Sequence, residues 1–148
     1  MDKVTVRIKK LNAGAILPSY GSEYAAGMDL YALTDGEVSI APGQTVLIHT
    51  GVATEIPDGY AGLVYARSGL ASKKGLAPAN KVGVIDADYR GEIMVALHNH
   101  GALPQTIGNG ERIAQMVISP CVRAELEESD ELTETVRGAG GFGSTGTN

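Results

Sequence analysis

The apolar residues of this chain fall in short runs, most of them three to six residues long, and Gly or Pro residues separate one run from the next. Short apolar or alternating runs bounded by turn residues are typical of strands. The runs lie at residues 4–9, 46–48, 62–65, 93–97 and 113–118. The turn signals between them include Pro-Asp-Gly at 57–59 and Gly-Asn-Gly at 108–110. We therefore expect an all-β fold, a distorted jelly roll or β-sandwich-like barrel.

Two segments depart from the strand pattern. Ser68–Lys74 predicts one short helix, with Ser68 as the N-cap and Gly75 as the stop. Residues 121–137 contain six acidic residues and neither Gly nor Pro, and their apolar positions form no helical stripe. We interpret that segment as a strand followed by a solvated linker.

Composition limits the classes of partner and compartment. A length of 148 residues predicts one domain, and a net charge of −5 argues against stable binding of nucleic acid. A small anionic ligand remains possible if basic groups converge locally. The single cysteine, Cys121, excludes an internal disulfide and is expected to be a small buried hydrophobe. We see no apolar run long enough to span a membrane and no signal peptide, so we expect a cytoplasmic protein without a membrane partner.

The C-terminal stretch holds the only Phe of the chain, Phe142, in a Gly-rich segment. A lone ring among glycines indicates an arm that orders over a flat ligand. Its neighbours Arg137, Gly143, Ser144 and Thr145 offer a cationic fork, backbone N–H groups and hydroxyls that suit an anion. The alternative is a disordered terminus. We divide the chain into a β domain at 1–136 and a flexible arm at 137–148, which closes over the site.

One acidic stretch is a candidate for catalysis. Asp86 and Asp88 lie between glycines at 83 and 91, in a pattern that suggests a hairpin tip. Asp86 follows two apolar residues, and partial burial tunes a carboxylate towards general-base catalysis. The alternative is a polar turn with a surface pair between Asp88 and Arg90.

Other polar residues interrupt apolar segments. Arg67 and Ser68 precede the predicted helix and suit an anion, although a simple N-cap is the alternative. Gln115 and Asp29 each lie inside a predicted strand, where such side chains are uncommon. His98 and His100 share a strand face but lack a third ligand, which favours a structural or surface role.

Five blocks of this chain, in order, resemble the motifs of the trimeric dUTP pyrophosphatase (dUTPase) family: AGxDLxA, RSGLA, GVIDxDYRG, GxRIAQ and RGxGGFGSTG. They occupy residues 26–32, 67–71, 83–91, 110–115 and 137–146. The likeness covers nearly the whole chain. Ala66 and Glu111 are small departures that leave every block intact.

The resemblance implies an activity. Members of that family hydrolyse dUTP to dUMP and pyrophosphate by attack of water on the α-phosphorus. This limits uracil incorporation into DNA and supplies dUMP for thymidylate synthesis. By resemblance, Asp86 orients and deprotonates the water, and Mg²⁺ binds to the triphosphate without direct protein ligands. Asp29 would support the hydration shell of that metal.

The resemblance also implies roles for the binding residues. Arg67, Ser68 and Gly69 would hold the phosphates, with Gln115 near the phosphates and the water. Tyr89 would pack on the deoxyribose and exclude a 2′-hydroxyl, although an ordinary packed aromatic is the alternative. A hairpin with Met94 on the returning strand would recognise uracil, through Asn80, Gly83, Val84 and Ile85.

The same resemblance gives the arm a function. Phe142 would stack on the base, while Arg137 and the segment with Gly143, Ser144 and Thr145 would close on the γ-phosphate. Three subunits would share each site in a homotrimer. Two other readings stay open: a dCTP deaminase of the same fold, and a catalytically silent trimeric binding module.

Overall fold

The computed structural model describes residues 3–141, which contain eleven strands and one short helix. In chain order the elements are β1 Arg7–Lys10, β2 Ser19–Tyr20, β3 Met28–Tyr31, β4 Val38–Ile40, β5 Thr45–Glu55, β6 Tyr60–Tyr65, α1 Ser68–Lys74, β7 Leu76–Pro78, β8 Gly83–Ile85, β9 Glu92–Asn99, β10 Gln105–Ile107 and β11 Arg112–Pro120. The expected all-β class with one short helix is confirmed.

The strands form three antiparallel sheets. One has four strands in the order β1-β5-β9-β7, and another has five in the order β2-β3-β11-β6-β8. The third is the pair β10-β4. Neighbours in the two large sheets are mostly distant in sequence, so loops cross repeatedly from one sheet to the other, as in a jelly roll.

The core lies between the two large sheets and follows the two-residue period of the strands. In β9, Ile93, Val95 and Leu97 are buried, and the residues between them are half-buried on the outer face. The polar residue Asn99 is also fully buried. Its amide donates to the carbonyls of Ile40 and Leu103 at 2.9 and 2.8 Å, which removes the cost of an unpaired buried group.

The helix begins and ends close to the predicted bounds, but its N-cap differs. Arg67 occupies the N-cap position and makes no side-chain capping hydrogen bond, so the assignment of Ser68 as N-cap is wrong. Ser68 is the first helical residue, which leaves its hydroxyl free of a capping role. Gly75 ends the helix in the left-handed conformation at φ 65°, as predicted.

Residues 121–137 differ from the prediction in two respects. The segment contains no strand, because β11 ends at Pro120, and every residue in it is exposed. Cys121 is exposed as well, so its expected burial is wrong. Burying six carboxylates would cost free energy, so the segment stays exposed to solvent. Pro120, directly before the segment, has no N–H to donate to a neighbouring strand. The solvated linker itself is confirmed.

The first predicted strand is shorter than expected, since β1 begins at Arg7, and the other four predicted strands lie inside longer observed ones. Within the described residues, no helix is long and apolar enough to cross a membrane.

A two-residue insertion bends β5 where it crosses β9. His49 pairs with Met94, and the next pair joins Ala53 to Glu92, so three residues of β5 face one residue of β9. Gly51 lies in this bulge at φ 69°, and a Cβ there would come within 2.9 Å of the Cβ of Ala15. Both the conformation and the space require glycine.

Gly51→Ala should therefore lower the free energy of unfolding by about 3 kcal/mol, from left-handed strain and overpacking together. Gly59→Ala is the matched control, since Gly59 has φ 81° and open space around its Cα. In that control, the free energy of unfolding should fall by only about 1 kcal/mol. Urea unfolding at one protein concentration measures both, and equal losses would contradict the packing argument.

Candidate active site

The pairing of β11 gathers three of the sequence motifs. Gln115 on β11 lies opposite Asp29 of β3 on one side and opposite Tyr65 of β6 on the other. The chain leaves β6 directly into Arg67 and α1. These residues surround a cavity of about 220 Å³, here called the anion cavity. Its lining is Gly21, Ala25, Gly27, Asp29, Arg67, Ser68, Gly69, Arg112 and Gln115.

Asp29 holds two arginines beside the anion cavity. Its Oδ1 accepts from Nε of Arg67 at 2.7 Å, and its Oδ2 accepts from Nη1 of Arg112 at 3.2 Å. The Asp29 side chain is only 13% exposed, so both contacts are partly shielded from water. Two cations and one carboxylate leave a net positive charge, which suits an anion. The local convergence of basic groups in an acidic protein is thereby confirmed.

A bulge in β11 explains how Arg112 reaches Asp29. Residues three apart on a regular strand point to opposite faces, so Arg112 would face away from Gln115. The register between β11 and β3 shifts between Arg112 and Ala114, which turns Arg112 onto the face of Asp29. The same shift lets Ile113 and Ala114 both enter the core.

Gln115 approaches the first motif closely. Its Nε2 donates to the carbonyl of Ala66 at 2.9 Å. A Cβ on Gly27 would lie 2.7 Å from Oε1 of Gln115, so only glycine leaves room for this side chain. The first motif therefore requires glycine at position 27 because the side chain of Gln115, in the fourth motif, occupies the space where a Cβ would lie.

Asp86 lies at a second cavity, also of about 220 Å³, here called the Asp86 cavity. Its lining is Leu47, Val84, Ile85, Asp86, Tyr89, Glu92 and Met94. β8 pairs with β6, and β9 pairs with β5 and β7. Residues 86–91 therefore cross from one sheet to the other, and the expected hairpin tip is wrong. The same holds for the expected uracil hairpin, because β7 and β8 belong to different sheets.

The immediate surroundings of Asp86 differ from the expectation too. Asp86 is exposed in the single chain, and Val84 before it is 60% exposed, so the apolar approach does not bury the carboxylate. The backbone turns after Asp86, whose carbonyl accepts from the N–H of Tyr89 at 3.2 Å. Arg90 donates to the carbonyl of Ala87 at 2.6 Å, and no ion pair with Asp88 occurs among residues 3–141.

Glu92 connects the Asp86 cavity to the bulge of β5. Its Oε2 lies 2.9 Å from Nδ1 of His49, and its Oε1 accepts from the N–H of Gly51 at 2.7 Å. Burial alone would raise the pKa of Glu92. The hydrogen bonds from His49 and Gly51 outweigh burial and hold that pKa below its ordinary value. Glu92 is therefore held as a carboxylate.

The anion cavity is lined from the five-stranded sheet, its β2–β3 loop and the start of α1, whereas the Asp86 cavity is lined from the four-stranded sheet together with β8 and the loop after it. Asp29 and Gln115 alternate with the core residues Leu30 and Met116 on the five-stranded sheet. Leu47, Met94 and Glu92 alternate with core residues of the four-stranded sheet: Ile48, Ile93 and Val95. About 10 Å of packed core separates the two sheets. The two cavities of one chain share no lining residue.

The remaining candidates line neither cavity. Gly83 is buried at the start of β8, and Asn80 is exposed in the turn before it. Arg137 is exposed and donates from Nε to the carbonyl of Gly140 at 2.9 Å. Phe142, Gly143, Ser144 and Thr145 lie outside the described residues.

Among the lining residues that had no assigned role from the sequence, three have side chains larger than a methyl group: Arg112, Glu92 and Leu47. Arg112 stands inside the fourth motif and could have been found from it, although its approach to Asp29 depends on a bulge. Glu92 follows the third motif directly, but its partner His49 is 43 residues away. Leu47 gives no local signal, because β-sheet pairing alone brings it to the cavity.

No group of three His, Cys, Asp or Glu side chains within the described part of the chain could hold a metal ion. His98 and His100 pack edge to face, with ring centroids 4.4 Å apart. Nδ1 of His98 lies 2.8 Å from Oγ1 of Thr45. These contacts fit the structural role inferred for the pair.

Comparisons with known proteins agree with this geometry. The family model described as dUTPase matches residues 13–146. The chain is 51% identical over 146 residues to a deoxyuridine 5′-triphosphate nucleotidohydrolase of Syntrophotalea carbinolica, covering 99% of both chains. It is 49% identical to the protein of the same name from Anaplasma marginale, covering 99% of this chain and 100% of the relative.

Solved structures extend the likeness. A mutant dUTPase of Staphylococcus bacteriophage 80alpha, solved with dUpNHpp, superposes with a TM-score of 0.89 at 30% identity, covering 98% of this chain and 100% of that one. A mutant dUTPase from phage phi11 of S. aureus, described with a structural Mg(II) ion, has a TM-score of 0.78 at 28% identity, covering 86% and 98%. Family model, relatives and fold agree over almost the full length. The chain belongs to the dUTPase family.

Proposed function

We propose that Asp86 is the general base with which this dUTPase hydrolyses dUTP to dUMP and pyrophosphate. Asp86 accepts a proton from a water molecule, whose oxygen attacks the α-phosphorus as pyrophosphate leaves. The observation that carries the proposal is the cavity that joins Asp86 to an aromatic ring and to apolar side chains on the same face. Such a lining suits a nucleoside held beside the attacked phosphorus.

The nucleoside half of the site is the Asp86 cavity. Tyr89 packs on the deoxyribose and leaves no room for a 2′-hydroxyl. Val84, Ile85 and Met94 border the base, and the turn with Asn80 and Gly83 contributes backbone groups. Because the hydroxyl of Tyr89 donates to the carbonyl of Glu92 at 2.9 Å, the ring has a fixed position before any nucleotide binds.

The phosphate half is the anion cavity. Arg67, Ser68 and Gly69 hold the phosphate chain with side-chain and backbone donors, and Gln115 lies beside them. Asp29 orients Arg67 and Arg112 through its two oxygens. Preorganised cations of this kind act on the charge that develops during phosphoryl transfer.

Family members use Mg²⁺. The described residues fit an ion that phosphate oxygens hold, because Asp29 is already paired with two arginines and no three acidic or imidazole side chains converge. Bound there, Mg²⁺ supplies neutralisation of the charge on the triphosphate. Asp29 would contact at most the water shell of the ion.

Because no residue lines both cavities, we assign each complete site to more than one chain of a homotrimer. The Asp86 cavity of one protomer faces the anion cavity of its neighbour around the three-fold axis. Such an arrangement covers Asp86, which the single chain leaves exposed, and excludes bulk water around the reacting phosphorus while leaving the attacking water molecule in place. The net charge of −5 leaves stable nucleic-acid binding disfavoured, and a cytoplasmic location stays a prediction.

Mixing two inactive variants tests the shared site. Asp86→Asn damages one half-site and Arg67→Ala damages the other. If neighbouring chains supply the two halves, co-refolded 1:1 mixtures should recover about one quarter of wild-type turnover, since about one site in four combines two intact halves. Each variant refolded alone is the control. No recovery in mixed trimers would place both halves in one chain.

Asp86→Asn alone should keep the affinity for dUTP and lower turnover by about 10²–10⁴-fold, because only the proton acceptor is lost. Calorimetric titration with a non-hydrolysable dUTP analogue and an assay of pyrophosphate release measure the two effects. Asp88→Asn is the matched control and should remain active. Equal loss of binding and turnover would instead indicate a structural Asp86.

The wild-type chain, incubated with each dNTP and Mg²⁺, distinguishes the alternatives. dUTP should be cleaved efficiently to dUMP and pyrophosphate, and the other nucleotides should not. A uridine nucleotide formed from dCTP would identify a deaminase. If no nucleotide is converted to any product, the chain is a binding module without catalytic activity.

We further propose that residues 137–148 form a separate arm that closes over the nucleotide of a neighbouring site, with Phe142 on the base. Arg137, Gly143, Ser144 and Thr145 close on the γ-phosphate. The support is the exposed linker 121–137, whose Leu126 and Val136 are almost fully exposed among residues 3–141. A linker of this length can carry the arm to another protomer.

Deleting residues 137–148 should leave a folded trimer whose kcat/KM for dUTP is lower by about 10²-fold, because closure excludes water and adds phosphate donors. Size-exclusion chromatography and the pyrophosphate assay measure the two properties. Phe142→Ala serves as a milder comparison that keeps the chain length. Full activity in the truncated trimer would refute the closing arm.

A further inference from the structure

The hydrogen bonds of Glu92 form one connected path from the bulge of β5 to the ring of Tyr89. The carboxylate bridges the N–H of Gly51 and Nδ1 of His49, at 2.7 and 2.9 Å. The backbone carbonyl of the same residue accepts from the hydroxyl of Tyr89 at 2.9 Å. Glu92 thus contacts β5 through its side chain and the hydroxyl of Tyr89 through its main-chain carbonyl.

The carboxylate compensates for a gap in the sheet. Between the pairs His49–Met94 and Ala53–Glu92, three residues of β5 have no regular partners on β9. A bulge leaves backbone groups unpaired, and the Glu92 carboxylate satisfies the N–H of Gly51. The hydroxyl of Thr50 donates to the carbonyl of Ile93 and fixes the same segment. The start of β9 therefore has one position relative to β5.

That position determines where the Tyr89 ring lies. The ring folds back over Gly91, where a Cβ would come within 2.6 Å of Cζ of Tyr89. Its hydroxyl reaches the first residue of β9, and its own N–H bonds to the carbonyl of Asp86. A shift of Glu92 would move the hydroxyl's acceptor and, with it, the ring and the loop that carries Asp86.

We propose that Glu92 is a positioning residue for sugar selection: by clamping β9 to the bulge of β5, it holds the Tyr89 ring where a ribonucleotide does not fit. The inference rests on the proposed role of Tyr89 against the deoxyribose. His49 is 58% exposed while Glu92 is 21% exposed, so the bond from the shielded Gly51 N–H dominates and His49 assists. Sugar selection therefore depends on a residue outside the motif that contacts the sugar.

The test compares dUTP with UTP, with kcat and KM measured for each in Mg²⁺ buffer. Glu92→Ala should lower the ratio of kcat/KM for dUTP over UTP by about tenfold, since small misplacements of positioning groups are costly. Tyr89→Phe removes only the hydroxyl that reaches Glu92 and should lower the ratio similarly. Glu92→Gln keeps an oxygen acceptor for Gly51 and should fall between Glu92→Ala and the wild type.

The double variant Glu92→Ala/Tyr89→Phe gives the sharper readout. If both residues act through one contact, the double variant should lose little more selectivity than either single one. Glu55→Ala is the matched control, because Glu55 also lies on a strand of the four-stranded sheet and pairs with an exposed cation, Arg7. That control should leave the ratio unchanged.

An unchanged ratio in folded Glu92→Ala, or independent additive losses in the double variant, would overturn the proposal. If Glu92→Ala does not fold, Glu92→Gln and Tyr89→Phe decide the question, and unchanged ratios in both would overturn it. A wild-type enzyme without preference for dUTP over UTP would instead contradict the role of Tyr89 itself. The two failures are therefore distinguishable.

Discussion

The antiparallel pairing of β11 with β3 and β6 is the constraint on which the rest of the structure depends. It places Gln115 between Asp29 and Tyr65, and so makes neighbours of three segments that lie far apart in the chain. The core side of the same strands is fully buried at Leu30 and Met116. A slip of one residue would turn those side chains to water and the polar ones into the core, so burial fixes the register of the site.

Departures from regular pairing occur next to both cavities. The register shift in β11 turns Arg112 towards Asp29, which already binds Arg67. The insertion in β5 leaves the N–H of Gly51 without a partner on β9, and the Glu92 carboxylate accepts a hydrogen bond from it. Regular pairing forms the two sheets, and its interruptions orient side chains that line the two cavities.

The candidate site is divided between two cavities that share no lining residue. Each chain carries a positively charged cavity on the five-stranded sheet and the Asp86 cavity between β8 and the four-stranded sheet. Neither cavity is lined by both Asp86 and the two arginines. In the proposed trimer, the carboxylate and the phosphate would meet between chains, so assembly would control catalysis.

The sequence by itself determined the all-β class, the bounds of the helix, the solvated linker and the family, because apolar period, turn residues and motif blocks are local properties. It also singled out Asp29, Arg67, Asp86 and Gln115. It misjudged the Asp86 loop as a hairpin and Cys121 as buried, since a strand's partners cannot be read from its own residues. Only the tertiary structure decided that Asp86 and the arginines line separate cavities, and that Glu92 joins the Tyr89 ring to a bulge. Those relations depend on which sheet each strand joins, and long-range burial decides that choice.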